Sequence, residues 1–157
     1  MEEAVVTAVT HDTSEAKVTV SGLPDHPRVA ARLFRAQADC KINVDMIVQN
    51  ASVQGTTDIS FTVPKSDLSV SVEAAGKSAD ELGATGVASD SEIARVSLIG
   101  VGMKSHPGIA ALMFETLGNE EINIEMISTS TIRTSCIVRI GDVERAVRSL
   151  HAAFDLS

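Results

Sequence analysis

The chain has no tryptophan and no tyrosine, and four phenylalanines among 157 residues. So few aromatic rings argue against base stacking, and the core must be built from Val, Ile, Leu, Ala and Met. Positive charge is also scarce: 13 Lys and Arg stand against 21 Asp and Glu, a formal net charge of −8 with no basic run. A phosphate backbone would be repelled, so nucleic acid is not an expected partner. The two cysteines, Cys40 and Cys136, lie far apart and match no metal spacing. They read as small buried hydrophobes in a reducing, cytoplasmic compartment, with no metal site expected. No apolar stretch approaches about 18 residues, and the opening "MEEAVVTAV" lacks a basic segment, so neither a signal peptide nor a membrane span is expected. What remains is 44 % hydrophobic, enough for the core of one ordinary domain or two very small ones.

The hydrophobic residues are written in two copies. "AKVTVSGLPDHPRVAARLFRAQADCKINVDMI" from Ala16 aligns with "ARVSLIGVGMKSHPGIAALMFETLGNEEINIEMI" from Ala94, the second carrying two extra residues before its His-Pro. Each copy opens on an alternating strand, with Val18 and Val20 or Val96 and Leu98 on one face. A Gly-containing loop and His-Pro follow, and Pro27 and Pro107 are expected in the first turn of a helix. Val29, Ala30, Leu33 and Phe34 then recur at helical spacing, as do Ile109, Leu112, Met113 and Leu117. In the strand after the first helix, Ile42, Val44, Met46 and Val48 share one face, and Asn43, Asp45, Ile47 and Gln49 the other.

"QGTT" turns the chain into "DISFTV", a hairpin, and "TSCIVRI" does the same in the second copy. Asp142 is a candidate N-cap for a last helix with the stripe Val143, Ala146, Val147, Leu150 and Phe154. The stretch "SDLSVSVEAAGKSADELG" is ambiguous, since Leu68, Val70 and Val72 alternate like a strand, and it is assigned as a helix by analogy with its partner. The resulting fold class is α+β, with two ferredoxin-like βαββαβ domains. The second copy ends near Phe154 without a fourth strand, whereas "EEAVVTAVTHD" belongs to neither copy. The N-terminal strand is therefore expected to complete the second domain, residues 1–15 plus 90–157, with the first domain, 16–89, inserted in it.

Searches for catalytic chemistry find little. "GVGMKS" lacks the four-residue spacer of a phosphate loop, and His26 and His106 have no acid or thiol constellation around them. A binding site is easier to build. The helix N-terminus at Arg28, Val29 and Ala30 offers N–H donors to a carboxylate, and Asp25 could take an ammonium. Together they describe a site for a free α-amino acid, with a plain helix cap as the competing role of Asp25. Asn43, Asp45 and Gln49, echoed by Asn123 and Glu125, make outward polar faces that a solvated strand would explain equally well. Ile47 and Ile127 in the middle of those faces favour an interface.

The blocks "SEAKVTVSGLPDHPRVAARLFRAQADCKINVDMIVQN", "GTTDISFTVPKSD" and "VSLIGVGMKSHPGIAA" with "INIEMISTSTIR" closely resemble the regulatory region of bacterial aspartokinase, a tandem pair of ACT domains. The resemblance covers essentially the whole chain and implies the regulatory (beta) subunit, with no part matching the family's kinase domain. It implies allosteric feedback inhibition of aspartate phosphorylation by threonine, alone or with lysine, bound where ACT domains of two chains meet in a homodimer. The aspartokinase catalytic (alpha) subunit is the implied partner. No cofactor is implied, and no activity is expected of this chain alone, although it would form part of an ATP-dependent aspartate kinase. By position the effector loop becomes Asp25, His26, Pro27, Arg28, Val29 and Ala30, with strand partners Asn43, Val44, Asp45 and Gln49, and Asn123 and Ile124 from the other domain. Asp25 would hold the ammonium, the helix N-terminus the carboxylate and Gln49 the side-chain end. Three positions depart from the family pattern: Arg28 stands where Gly is usual, Thr131 replaces an acid, and "SDLSVSV" differs from the family's well-formed helix. A ligand-free structural or oligomerisation module is the alternative reading.

Overall fold

The computed structural model describes residues 5–50, 54–101 and 106–156. The chain divides into two units, Ser14–Ser91 and a second made of Met1–Thr13 with Glu92–Ser157. In the first unit β2 (Glu15–Pro24) leads to α1 (Val29–Asp39), and β3 (Ile47–Gln49) and β4 (Thr56–Pro64) form a hairpin. A 3-10 turn at Lys65–Asp67 then enters α2 (Leu68–Leu82), and β5 (Gly86–Asp90) closes the unit. The second unit runs β6 (Ile93–Val101), α3 (Gly108–Asn119), β7 (Met126–Thr129), β8 (Arg133–Arg139), a 3-10 turn at Ile140–Asp142 and α4 (Val143–Ala153). Its fourth strand is β1 (Val5–Asp12), from the start of the chain. The sheets are ordered β3-β4-β2-β5 and β7-β8-β6-β1, so β1 takes the place beside β6 that β5 takes beside β2. Both outer pairings are antiparallel. The α+β class and the inserted order read from the sequence are those of the structure.

Each core lies between one sheet face and its two helices. Val18, Val20, Ile59, Phe61 and Leu33 fill the first, and Val96, Leu98, Cys136, Met113 and Leu117 the second. Phe34 meets Phe61 edge to face at 5.3 Å, the favoured arrangement for a ring pair. The repeat extends to polar contacts on the other sheet face: the Thr19 and Ser60 hydroxyls pair at 2.9 Å, those of Ser97 and Ser135 at 2.7 Å.

The helices α1 and α3 stop in the same way. Ile42 N–H donates to Gln37 C=O and Lys41 N–H to Ala38 C=O, while Ile122 N–H donates to Leu117 C=O and Glu121 N–H to Gly118 C=O. These are Schellman caps, and they place Lys41 and Glu121 in the left-handed region at φ 59° and 56°. The cap aims Ile42 and Ile122 into their cores and starts the returning strand.

Four local expectations change. Pro27 lies in the turn before α1, whose N-cap is Arg28, and Pro107 is itself the N-cap of α3. Asp142 is the N-cap residue of α4, but its carboxylate makes no cap bond and instead accepts from Arg145 Nη2 at 3.0 Å. Residues 42–49 alternate buried and exposed as expected, yet regular pairing is confined to Ile47–Gln49. The cause is Thr62: its hydroxyl accepts from Met46 N–H, and its C=O accepts from Asp45 N–H, which interrupts the ladder. Finally, residues 68–82 form a regular helix, so "SDLSVSV" is no departure from a helical pattern. Ser71, Ala74, Ala75, Ser78 and Ala79 make its buried stripe, while Val70 is 48 % exposed. Small residues carry the 3.6-residue period there, and the larger Leu68, Val70 and Val72 alternate beside it without setting the structure.

Candidate functional site: the Asp25 loop and the open strand edge

The loop after β2 is tied to the hairpin turn of its own sheet. Asp25 N–H donates to Gly55 C=O at 3.0 Å, and Gly55, at φ 81°, lies in a turn that opens through Gln54 at φ 55°. His26 N–H turns back to Pro24 C=O, and Val29 N–H to His26 C=O, both at 3.2 Å. This leaves the side chains of Asp25, His26, Pro27 and Arg28 exposed, Ala30 half-buried and Val29 in the core. Asp25 does not cap α1, whose N-cap is Arg28 with no side-chain cap bond. The role of a plain cap therefore falls away. Of the N–H groups considered for a carboxylate, that of Val29 is already engaged by His26.

Gln49 ends β3 at the same edge of the unit. Asn50 N–H donates to Asp58 C=O, Thr57 Oγ1 donates to Asn50 C=O, and Gly22 N–H donates to Asp58 Oδ1 at 2.9 Å. Gly22 sits at φ 68°, and a Cβ there would come within 1.9 Å of Thr85 Oγ1. The bend before the Asp25 loop thus requires glycine. The structure brings Asp25 and Gln49 to one end of the first unit and sets Asn43 and Asp45, both exposed, farther along the strand toward the C-terminal end of α1. Val44, between them, packs against the core. Asn123 is exposed and Ile124 packs on the second core, at the corresponding place of the other unit.

Both strands that carry these residues lie at sheet edges, and their middle residues Ile47 and Ile127 are 53 % and 49 % exposed. Apolar side chains on an unpaired edge describe a surface ready to add strands. Arg28 is the unexpected member. It lines a groove between α1 and α2, its charge unfavourably placed at a helix N-terminus.

One cavity was not read from the sequence. About 400 Å³ in the second unit is lined by His106, Pro107, Ile109, Ala110, Thr129, Ser130, Thr131 and Thr134. The signal was present in the repeat, which sets His106-Pro107 against His26-Pro27 and Thr129 against Gln49. Its Thr131 belongs to a turn held by Ser130 Oγ, which accepts from Arg133 N–H at 3.1 Å. Among the described residues no His, Cys, Asp and Glu cluster could hold a metal, and no helix is long and apolar enough to cross a membrane. Burial pushes the Cys136 thiol up to about 12, so it stays neutral, whereas Cys40 is exposed.

A family model described as the ACT domain matches residues 17–78 and again 96–154. The aspartokinase of Corynebacterium efficiens is 49 % identical over 99 % of this chain, and the aspartate kinase of Pseudomonas fluorescens 44 % identical over 99 %. The chain spans 38 % of the length of these curated relatives. Among solved structures, a chain of the aspartokinase alpha and beta subunits is 45 % identical with a TM-score of 0.91, covering 97 % of this chain and 100 % of that one. The ligand-free regulatory subunit of aspartate kinase from Thermus thermophilus is 37 % identical with a TM-score of 0.91, covering 96 % and 99 %. Two ACT repeats, two matching sheets and near-complete coverage by a regulatory subunit agree: the chain belongs to the ACT domain family, as an aspartokinase regulatory region.

Proposed function

We propose that this chain senses a free α-amino acid, threonine alone or with lysine, and transmits its binding to an aspartokinase catalytic (alpha) subunit as feedback inhibition in the cytoplasm. The observation that carries the reading is the exposed Asp25 carboxylate, with no capping role, beside a helix N-terminus and at the same end of the unit as Gln49. Asp25 takes the ammonium, the start of α1 the carboxylate, and Gln49 the side-chain end. Asn123 and Ile124 from a second chain complete the site across a homodimer formed by the open β3 and β7 edges, while Asn43, Val44 and Asp45, set farther along the strand, belong to the same interface. Exposed Ile47 and Ile127 support that pairing. The ligand bridges two chains, so it favours the arrangement in which both halves of its site are closed. The catalytic partner feels this as a shift between active and inactive states, with a coupling of about 1–3 kcal/mol. Phosphoryl transfer belongs to that partner.

Titration calorimetry with threonine, lysine and methionine tests the reading. Saturable threonine binding that disappears in Asp25→Ala, with the fold retained by circular dichroism, is the expected result. Binding unchanged in that variant would move the site elsewhere, and no binding of any of the three would favour a ligand-free assembly module.

A further inference from the structure

The strand that leads to the Asp25 loop is irregular at one step. β2 pairs with β4 in constant register from Glu15 to Val20, then shifts, and pairs again at Leu23 and Pro24, opposite Thr57 and Thr56. Between the two stretches Ser21 and Gly22 stand opposite the single residue Asp58, with Gly22 at φ 68°. This is a β-bulge, which bends its strand and re-aims whatever follows. The N–H that a bulge takes out of the ladder needs another acceptor, and here Gly22 N–H donates to Asp58 Oδ1 at 2.9 Å. The second unit is built otherwise. There β6 pairs with β8 without a shift from Ile93 to Ile99, and the matching Gly100 N–H donates to the backbone C=O of Ile132 at 2.9 Å. Since Ser135 answers to Ser60, the place of Asp58 is held by Arg133.

We infer, resting on the amino-acid site proposed above, that Asp58 is a positioning residue of that site: it fixes the Asp25 loop against the strand end that carries Gln49. Asp58 lies in β4, between β3 and β2 in the sheet. Its C=O accepts from Asn50 N–H at 3.1 Å, one residue beyond Gln49, and its carboxylate accepts from Gly22 N–H, three residues before Asp25. One residue therefore ties both halves of the effector site. From the bulge the frame passes through the Leu23–Thr57 and Pro24–Thr56 pairs to Asp25 N–H on Gly55 C=O. Glycine restricts its own φ very little, so the bulge holds its shape through that bond rather than through Gly22 itself. Without the acceptor, β2 can pair as β6 does, without a shift, and a slip of one residue turns each side chain beyond it to the other face. Asp25 would then no longer point where Gln49 does. Asp58 acts through Gly22 and needs no contact with the ligand; it holds the partners ready, which lowers the ordering cost of binding. The role requires an acceptor at that reach, so an amide oxygen can fill it and a methyl group cannot.

Two measurements on the full chain test this, with Asp58→Ala and Asp58→Asn. The first is amide hydrogen exchange without ligand. In Asp58→Ala the Asp25 N–H, bonded to Gly55 and not to Asp58, should exchange faster by about tenfold or more, while Gly100 N–H in the second unit keeps its rate. Asp58→Asn should restore the protection of Asp25. The second is threonine titration, in which Asp58→Ala should weaken binding about tenfold or more and Asp58→Asn should bind as the unaltered chain does. If Asp58→Ala does not fold, Asp58→Ser, whose hydroxyl is too short to keep the bond, replaces it in both measurements. Unchanged Asp25 exchange in Asp58→Ala overturns the inference, and so does Asp58→Asn behaving like Asp58→Ala. Threonine binding lost in Asp25→Ala but kept in Asp58→Ala overturns it too, and leaves the amino-acid site standing. If the unaltered chain binds none of the three amino acids, it is the site that fails, and the exchange rates still decide whether Asp58 holds the loop.

Discussion

The two ACT units of this chain share sheet order, helix caps and hydroxyl pairs but differ where their helices meet. In the first, Gln37 and Ser71 are fully buried and bonded twice, Gln37 Nε2 to Ser71 C=O at 3.0 Å and Ser71 Oγ to Gln37 Oε1 at 2.6 Å. In the second, the same places are held by Leu117, whose carbonyl also receives the capping Ile, and Ala146, fourth in α4 as Ser71 is fourth in α2. One unit locks its helices by a directional polar bond and the other by apolar packing. The outer faces differ as well: α1 exposes Arg32, Arg35 and Asp39, where α3 exposes Leu112, Glu115 and Asn119. A common fold therefore tolerates either chemistry between its helices. The charged face and Asp25 loop of the first unit are choices that the fold does not demand.

The largest effect is expected from truncating the apolar lock. Leu117→Ala leaves a cavity that the surrounding Met113, Ile122 and Leu150 fill only in part, and should cost about 2–5 kcal/mol in chemical denaturation. If the second unit unfolds separately, a distinct early transition will appear while the first unit persists. A loss below about 1 kcal/mol would mean that the helix seam is not what holds this unit together.

In the first unit the loss should come from an orphaned polar group. Ser71→Ala removes the hydroxyl from buried Gln37 Oε1 and should cost about 1–3 kcal/mol. The double variant Gln37→Leu/Ser71→Ala, which copies the second unit, should recover most of it, because removing both partners leaves nothing unsatisfied. A double variant worse than Ser71→Ala alone would show that the polar bond, not the volume, specifies this helix pair.

Much of this was legible beforehand, and the reasons are particular. The alternation of residues 42–49 announced which side chains face out, since the period of two survives even where Thr62 breaks the ladder. The missing fourth strand of the second repeat pointed to β1, because a sheet edge next to β6 had no other claimant. The helix at 68–82 was harder. Alanines and serines write its buried stripe, and hydropathy gives them little weight beside Leu68, Val70 and Val72. The groove was not legible at all, for it depends on how two helices distant in sequence lie side by side. Nor was the separation of Asn43 from Asp25, which follows from the direction in which the strand returns after the Schellman turn.

A third contrast concerns the central strands, where Phe61 in the first unit answers to Cys136 in the second, opposite Val18 and Val96. Burial raises the Cys136 thiol from 9.0 to about 12. Between those values the unfolded chain has released a proton that the folded chain keeps, so stability is complete below pH 9 and falls as pH rises. The slope for one group is about 1.4 kcal/mol per pH unit. Denaturation at pH 8 and pH 10 should show this fall in the unaltered chain and not in Cys136→Ala, a comparison simplified by the absence of tyrosine. An equal fall in both would assign the alkaline loss to other groups.

The smallest effect tests where the two units are the same. Lys41 and Glu121 hold the same left-handed position after α1 and α3, at φ 59° and 56°. The conformation costs a side-chain-bearing residue about 1–2 kcal/mol, and glycine returns about 0.5–1 kcal/mol of that as chain entropy lost on folding. Lys41→Gly and Glu121→Gly should therefore each stabilise by about 0.5–1 kcal/mol, and by equal amounts, despite the opposite charges removed. Equality would show that backbone geometry sets the energy of this turn in both units. A clear gain at Lys41 with none at Glu121 would instead mean that the side chains make contacts of their own there, and that the repeat is closer in its hydrogen bonds than in its energetics.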